Sequence, residues 1–160
     1  MLGFATETTT KSDNSFEEFK EGVKLLKNDY PQKALVKLQS AFESDKHNPY
    51  YISFLGVSIA RAQQNWTQAS ELCDRAVQLN PKEIQFHLNV AEVHALAGLR
   101  EMALHKLDYA LGLFDNDPRL VRARSKIEKR RNPILPFLER GHFLNRQLGK
   151  LRHRILKNSA

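Results

Sequence analysis

Three positions that are small in one stretch of the chain are small again 34 or 35 residues later, and then once more. Gly22, Gly56 and Ala91 make the first series, Ala34, Ala69 and Ala103 the second, and Ala41, Ala76 and Ala110 the third. Two helices approach closely only where one side chain at the crossing is no larger than a methyl group. The surrounding apolar residues keep helical spacing. Ile52, Leu55, Gly56 and Ile59 share one face of a first helix, and Trp66, Ala69, Cys73, Ala76 and Leu79 share one face of a second. The polar break Gln63-Gln64-Asn65 divides them and holds the extra residue of this unit, and Pro81 ends the second helix. A helical hairpin therefore occurs three times.

The middle unit reads Leu55-Gly56 with Ile59, then Ala69, Cys73 and Ala76, then Pro81. This pattern resembles the tetratricopeptide repeat, and the resemblance covers residues 15–131. It implies an all-α fold, a right-handed α-solenoid of three helix-turn-helix repeats with a capping helix. Residues 1–14, rich in Thr and Ser, are expected as a disordered lead-in, and residues 132–160 as a separate basic tail. Departures from the pattern include Glu21, the placing of Phe19, Lys46, His87, His94 and Asp115. They bear on local packing, since each leaves the helical periodicity intact.

Asp13, Asn14 or Ser15 is expected to cap the first helix, and Pro31 to open its partner. The third unit is expected to open at Pro81 and to break at Gly98. The closing helix, Arg119 to about Arg131, would turn Val121, Ser125 and Ile127 inward. A polar-faced end helix of this kind covers the apolar face of the last unit in repeat arrays.

No apolar run approaches the roughly 18 residues of a membrane span. The first residues, MLGFATETTTKSDNS, lack the basic start and apolar stretch of a secretory signal. The single cysteine excludes an internal disulfide, and Cys73 falls at a core position. A reducing, cytoplasmic setting is expected. Charge is uneven along the chain. Residues 1–118 hold 12 Lys/Arg against 16 Asp/Glu, whereas residues 119–160 hold 13 against 2. A cationic end on a mildly acidic body implies an anionic counterpart.

The tail opens with the apolar, two-proline stretch Pro133-Ile134-Leu135-Pro136-Phe137-Leu138 and continues as an amphipathic helix with Leu144, Leu148, Leu151 and Ile155 on one face. Arg146, Lys150, Arg152, Arg154 and Lys157 supply its positive charge. An anionic membrane surface or nucleic-acid phosphates could take those cations. The apolar stripe could instead pack on the array as an internal peptide, or on a second copy in a homo-oligomer.

Stacked hairpins of the repeat type curve, with the first helix of each unit lining the hollow face. The repeat register places Phe19 and Val23 there from the first unit, Tyr50, Phe54 and Arg61 from the second, and Leu88 and Asn89 from the third. Arg119, Arg122 and Lys126 follow from the closing helix. An aromatic and aliphatic floor ending in a cationic wall suits a protein or peptide partner with apolar anchors and acidic residues. The same aromatics would equally complete packing between repeats. Some family members hold acidic chaperone C-termini with a Lys, Asn, Asn, Lys, Arg clamp; the matching positions here are Phe19, Val23, Phe54, Gln85 and Asn89, so the clamp is absent. His87, His94 and His105 invite a metal reading, but the first two occupy core positions and are expected to be hydrogen-bonded packing residues. No catalytic constellation, cofactor motif or metal-ligand spacing stands out. The expectation is a non-catalytic interaction module, an adaptor or a chaperone-like protein.

Overall fold

Each break between helices carries the chemistry that ends one and starts the next. The computed structural model describes the backbone of residues 4–128 and the side chains of residues 14–128. Within them run α1 (Phe4–Lys27), α2 (Pro31–Ser44), α3 (Pro49–Gln63), α4 (Trp66–Leu79), α5 (Ile84–Leu96), α6 (Arg100–Leu113) and α7 (Pro118–Glu128). Pro31 and Pro49 stand in the first turns of α2 and α3, where a missing amide leaves no hydrogen bond unmade. Asn48 and Asn65 accept hydrogen bonds from the free amides of Tyr50 and Gln68 at 3.0 and 3.3 Å. Gly98 takes φ 81 after α5, which lets the Leu99 amide reach back to the His94 carbonyl at 2.9 Å.

Two boundaries differ from expectation. The first helix begins at Phe4, so Asp13, Asn14 and Ser15 lie inside it instead of capping it, and the expected lead-in is helical from residue 4. Once a helix is nucleated by its packed turns, each added residue gains a hydrogen bond for little further ordering. The other is the third unit, which starts at Ile84 and not at Pro81. The Lys82 amide donates to Asn80 Oδ1 at 3.3 Å, forming a turn that sets Glu83 as the cap, its carboxylate accepting from the Gln85 amide at 3.0 Å.

α1 with α2, α3 with α4, and α5 with α6 form the three hairpins, and successive hairpins pack on one another. The small residues sit at the crossings. A Cβ on Gly22 would lie 2.6 Å from Leu38 Cγ, and one on Gly56 would lie 2.7 Å from Cys73 Sγ and 2.8 Å from the Ala69 carbonyl oxygen. Ala34, Ala41, Ala69, Ala76, Ala103 and Ala110 are all fully buried.

A second recurrent position joins one unit to the one before. Tyr51, Phe86 and Leu120 are equivalent along the repeat, and all three are buried. Leu120 packs with Ala91 of α5 and Leu107 and Ala110 of α6, so α7 closes on the third hairpin. This corrects the expected inward set of the closing helix, because Val121 is 42% exposed. Val121 holds the position that elsewhere packs on the second helix of its own hairpin, and among the described residues α7 has no such partner.

Gly112 marks the opposite situation. A Cβ there would meet nothing within 4 Å, although the residue lies within α6. Gly112→Ala is expected to stabilise the protein by about 0.5–1 kcal/mol, read as a raised urea midpoint with unchanged slope. Among the described residues no helix is long and apolar enough to cross a membrane. The expected basic amphipathic helix of the tail lies outside the described residues.

Candidate functional site

The first helices of the hairpins, α1, α3 and α5, are neighbours in one layer, and α7 adjoins α5 through Leu120, Leu88 and Ile127. The side chains that the sequence assigns to their common face divide into those held by the protein itself and those left open.

Phe19 packs its ring 5.1 Å from Tyr51 and 5.4 Å from Phe54, the latter edge to face, and Val23 and Phe54 are half-buried in the same cluster. These residues tie the first unit to the second. Tyr50 rests its ring on the edge of Phe86 at 4.9 Å and donates its hydroxyl to Glu83 Oε2 at 2.5 Å. That bond holds the Glu83 carboxyl below the usual carboxylate range and raises the Tyr50 hydroxyl above its ordinary value. Arg61 is engaged on two sides. Its Nε donates to Glu92 Oε1 at 2.7 Å, Nη2 donates to the same oxygen, and Nη1 donates to the Leu26 carbonyl at 3.0 Å. One guanidinium thus ties α3 to both α1 and α5.

Asn89 is buried. Its Nδ2 donates to Ser53 Oγ and its Oδ1 accepts from Gln85 Nε2, both at 2.8 Å. It is a satisfied link between units, with no polar atom to offer a guest. Leu88 is partly buried against the Ala91–Leu120 cluster. Arg119 lies along Asp117, with Nε 3.1 Å from Oδ1 and Nη2 3.2 Å from Oδ2, which pulls the Asp117 carboxyl below its ordinary range. Arg122 and Lys126 are exposed, one helical turn apart, and form no ion pair among the described residues. Phe16, which the repeat register also assigns to this face seven residues before Val23, is 52% exposed with the Lys20 ammonium 5.3 Å above its ring.

The face is therefore polarised, with Phe16, Val23 and Phe54 at the α1–α3 end and the open cations of α7 at the other. Glu83, which orders Tyr50, is the residue that the repeat register missed. A signal was available, because it lies 33 residues after Tyr50, close to one repeat length, where stacked units bring side chains together. The tail residues Arg146, Lys150, Arg152, Arg154 and Lys157 lie outside the described residues.

The remaining reactive side chains belong to the packing. Cys73 is fully buried beside the Ser53 carbonyl, and burial pushes its thiol up to about 12. His87 Nε2 lies 2.9 Å from the Pro81 carbonyl. Among the described residues no three His, Cys, Asp or Glu side chains converge as a metal site would require. His94 departs from expectation, since its Nε2 is buried and has no hydrogen-bond partner among the described residues. Burial, and then the Lys106 ammonium, lower its pKa against the opposing Asp74 carboxylate, so folding disfavours its protonated form. This contribution to stability is complete above the unfolded-state value of about 6.5 and is lost as pH falls below it toward the folded value. The unfolding free energy should drop between pH 7.5 and 5.5 by at most about 1.4 kcal/mol per pH unit, read as a falling urea midpoint, and His94→Phe should flatten that slope.

No protein-family model and no curated protein sequence matches the chain. Solved structures do. The TPR domain of Arabidopsis OM64 aligns at TM-score 0.60 and 17% identity, over 74% of this chain and 98% of that one. The first TPR of Spaghetti (RPAP3), bound to the HSP90 peptide SRMEEVD, aligns at 0.59 and 19%, over 74% and 95%. The second TPR domain of human RPAP3, in complex with the HSP70 peptide SGPTIEEVD, aligns at 0.58 and 15%, over 77% and 99%. Three hairpins with small residues at every crossing, closed by a seventh helix and superposing on these domains, give this chain the tetratricopeptide-repeat fold.

Proposed function

We propose that the protein is a non-catalytic interaction module, an adaptor or chaperone-like protein that takes a peptide segment of a partner on the α1–α3–α5–α7 face. The observation that carries this reading is the apolar strip of Phe16, Val23, Phe54 and Leu88, which the hairpins leave only partly covered. Partly covered aromatics on one face are the usual anchoring points of a protein interface. Structures of the same fold hold peptides from HSP90 and HSP70, which supports a peptide as the guest. The acidic chaperone tails themselves fit this chain poorly, because Phe19, Val23 and Phe54 stand where a clamp needs polar donors and Asn89 is already satisfied.

The test is affinity capture with the wild-type chain and with a Phe54→Ala, Arg122→Gln double variant whose helix content and urea midpoint are checked first. Loss of the captured set is expected. A folded variant that captures the same proteins would sink the reading.

A further inference from the structure

The carboxylates of the face are all answered from within. Glu83 is held by Tyr50, Glu92 by Arg61 and Asp117 by Arg119. Arg61 and Arg119 are used in these pairs, while Arg122, which after Arg119 helps hold the Asp117 carboxyl low, and Lys126 make no ion pair among the described residues. On α7, Leu120 is buried, Arg124 turns to Asp108 of α6 at 2.5 Å, and Arg122 and Lys126 remain exposed four residues apart. Residues at that spacing share one side of a helix with side chains roughly 6 Å apart, a separation that fits two carboxylates in one partner. At the α1 end Lys20 is paired with Glu17 at 2.8 Å, whereas Arg122 and Lys126 make no ion pair among the described residues; Lys27 and Lys126 each lie in the last turn of their helix, so the helix dipole does not distinguish the two ends. What that end presents is apolar: Phe16, Val23 and Phe54.

We infer that the guest is an extended internal segment with a fixed polarity, bulky apolar side chains over the α1–α3 end and two acidic side chains on Arg122 and Lys126. This rests on the peptide-binding reading above and deepens it. Helices pack 8–10 Å apart, so the three steps from α1 to α7 span on the order of 25 Å. An extended chain rises about 3.3 Å per residue, which makes the segment about eight residues long. Phe19, Val23 and Phe54 occupy positions from which the clamp described above would hold a terminal carboxylate, so the acidic groups are assigned to side chains.

The experiment is a printed array of random ten-residue peptides, each made both as free acid and as C-terminal amide, probed with the full-length chain. Retained peptides should share an aromatic or branched aliphatic residue separated by five to seven positions from a pair of acidic ones, with equal binding by acid and amide. Arg122→Gln with Lys126→Gln should weaken those peptides about fivefold to tenfold by fluorescence polarisation and raise the share of retained peptides without acids. Phe54→Ala should weaken the acid-bearing and acid-free peptides alike. Retention with no acidic enrichment, or retention lost on amidation, overturns this inference while leaving peptide binding intact. An array that retains nothing overturns both.

Discussion

Gly56→Ala is expected to destabilise the protein by about 2 kcal/mol, lowering the thermal midpoint by roughly 6–10 °C. On helix propensity alone the change should help, since alanine is favoured over glycine within a helix by about 1 kcal/mol. Packing decides the sign. The new methyl would lie 2.7 Å from Cys73 Sγ and 2.8 Å from the Ala69 carbonyl oxygen. Cys73 is fully buried and cannot swing away, and the carbonyl belongs to the backbone of α4, so α3 and α4 must separate. Overfilling a packed contact costs about 1–3 kcal/mol, and more where the obstacle is backbone. Gly56→Val should be worse again. Circular dichroism melts of Gly56→Ala beside Gly112→Ala check the argument, because the same substitution should move the two midpoints in opposite directions. A Gly56→Ala protein as stable as the wild type would mean that the hairpin is not held by this close approach.

The contrast between these two glycines also marks what a reader of the sequence can and cannot recover. The recurrence of Gly22, Gly56 and Ala91 is legible because close helix crossings demand small residues, and the structure puts atoms 2.6 to 2.8 Å from where a Cβ would be. Pro31 is legible as a helix start, and Asn65 as part of a polar break, because a missing amide and a polar turn act locally; that Pro49 opens α3 and Asn65 caps α4 comes from the structure. The fate of the hollow-face side chains is not local. Arg61, Tyr50 and Asn89 have the right register for meeting a guest, yet each is engaged by a residue 31 to 36 positions away on a neighbouring unit. Whether such a side chain is free depends on the rise and twist between hairpins, which no single hairpin encodes. Leu120 against Val121 is the same lesson at one-residue scale. Two adjacent apolar side chains are equivalent by composition, and Leu120 is the buried one because it continues the junction position of Tyr51 and Phe86, whereas Val121 is 42% exposed.

Phe86→Ala is expected to cost about 3–5 kcal/mol and, beyond that, to divide the unfolding transition. Phe86 is fully buried among Ile52 of α3 and Ala76 of α4, with Phe42, Leu72 and Val77 around them. It stands where the third unit meets the second, at the position that Tyr51 and Leu120 fill at the other two junctions. A repeat array is cooperative only while the coupling between neighbours exceeds the instability of a single unit. Removing this ring takes away the largest fully buried side chain of the described residues, and also the surface on which Tyr50 rests while it bonds Glu83. The single tryptophan, Trp66, lies in α4 of the second unit and is packed against its core, so its fluorescence follows that unit, whereas circular dichroism follows every helix. In the wild-type chain the two signals should trace one urea transition. In Phe86→Ala the dichroism should begin to fall at lower urea than the fluorescence, as the third unit and α7 melt away from the rest. Coincident curves in the variant, shifted together, would show that the units stay coupled without Phe86 and that its role is confined to filling space.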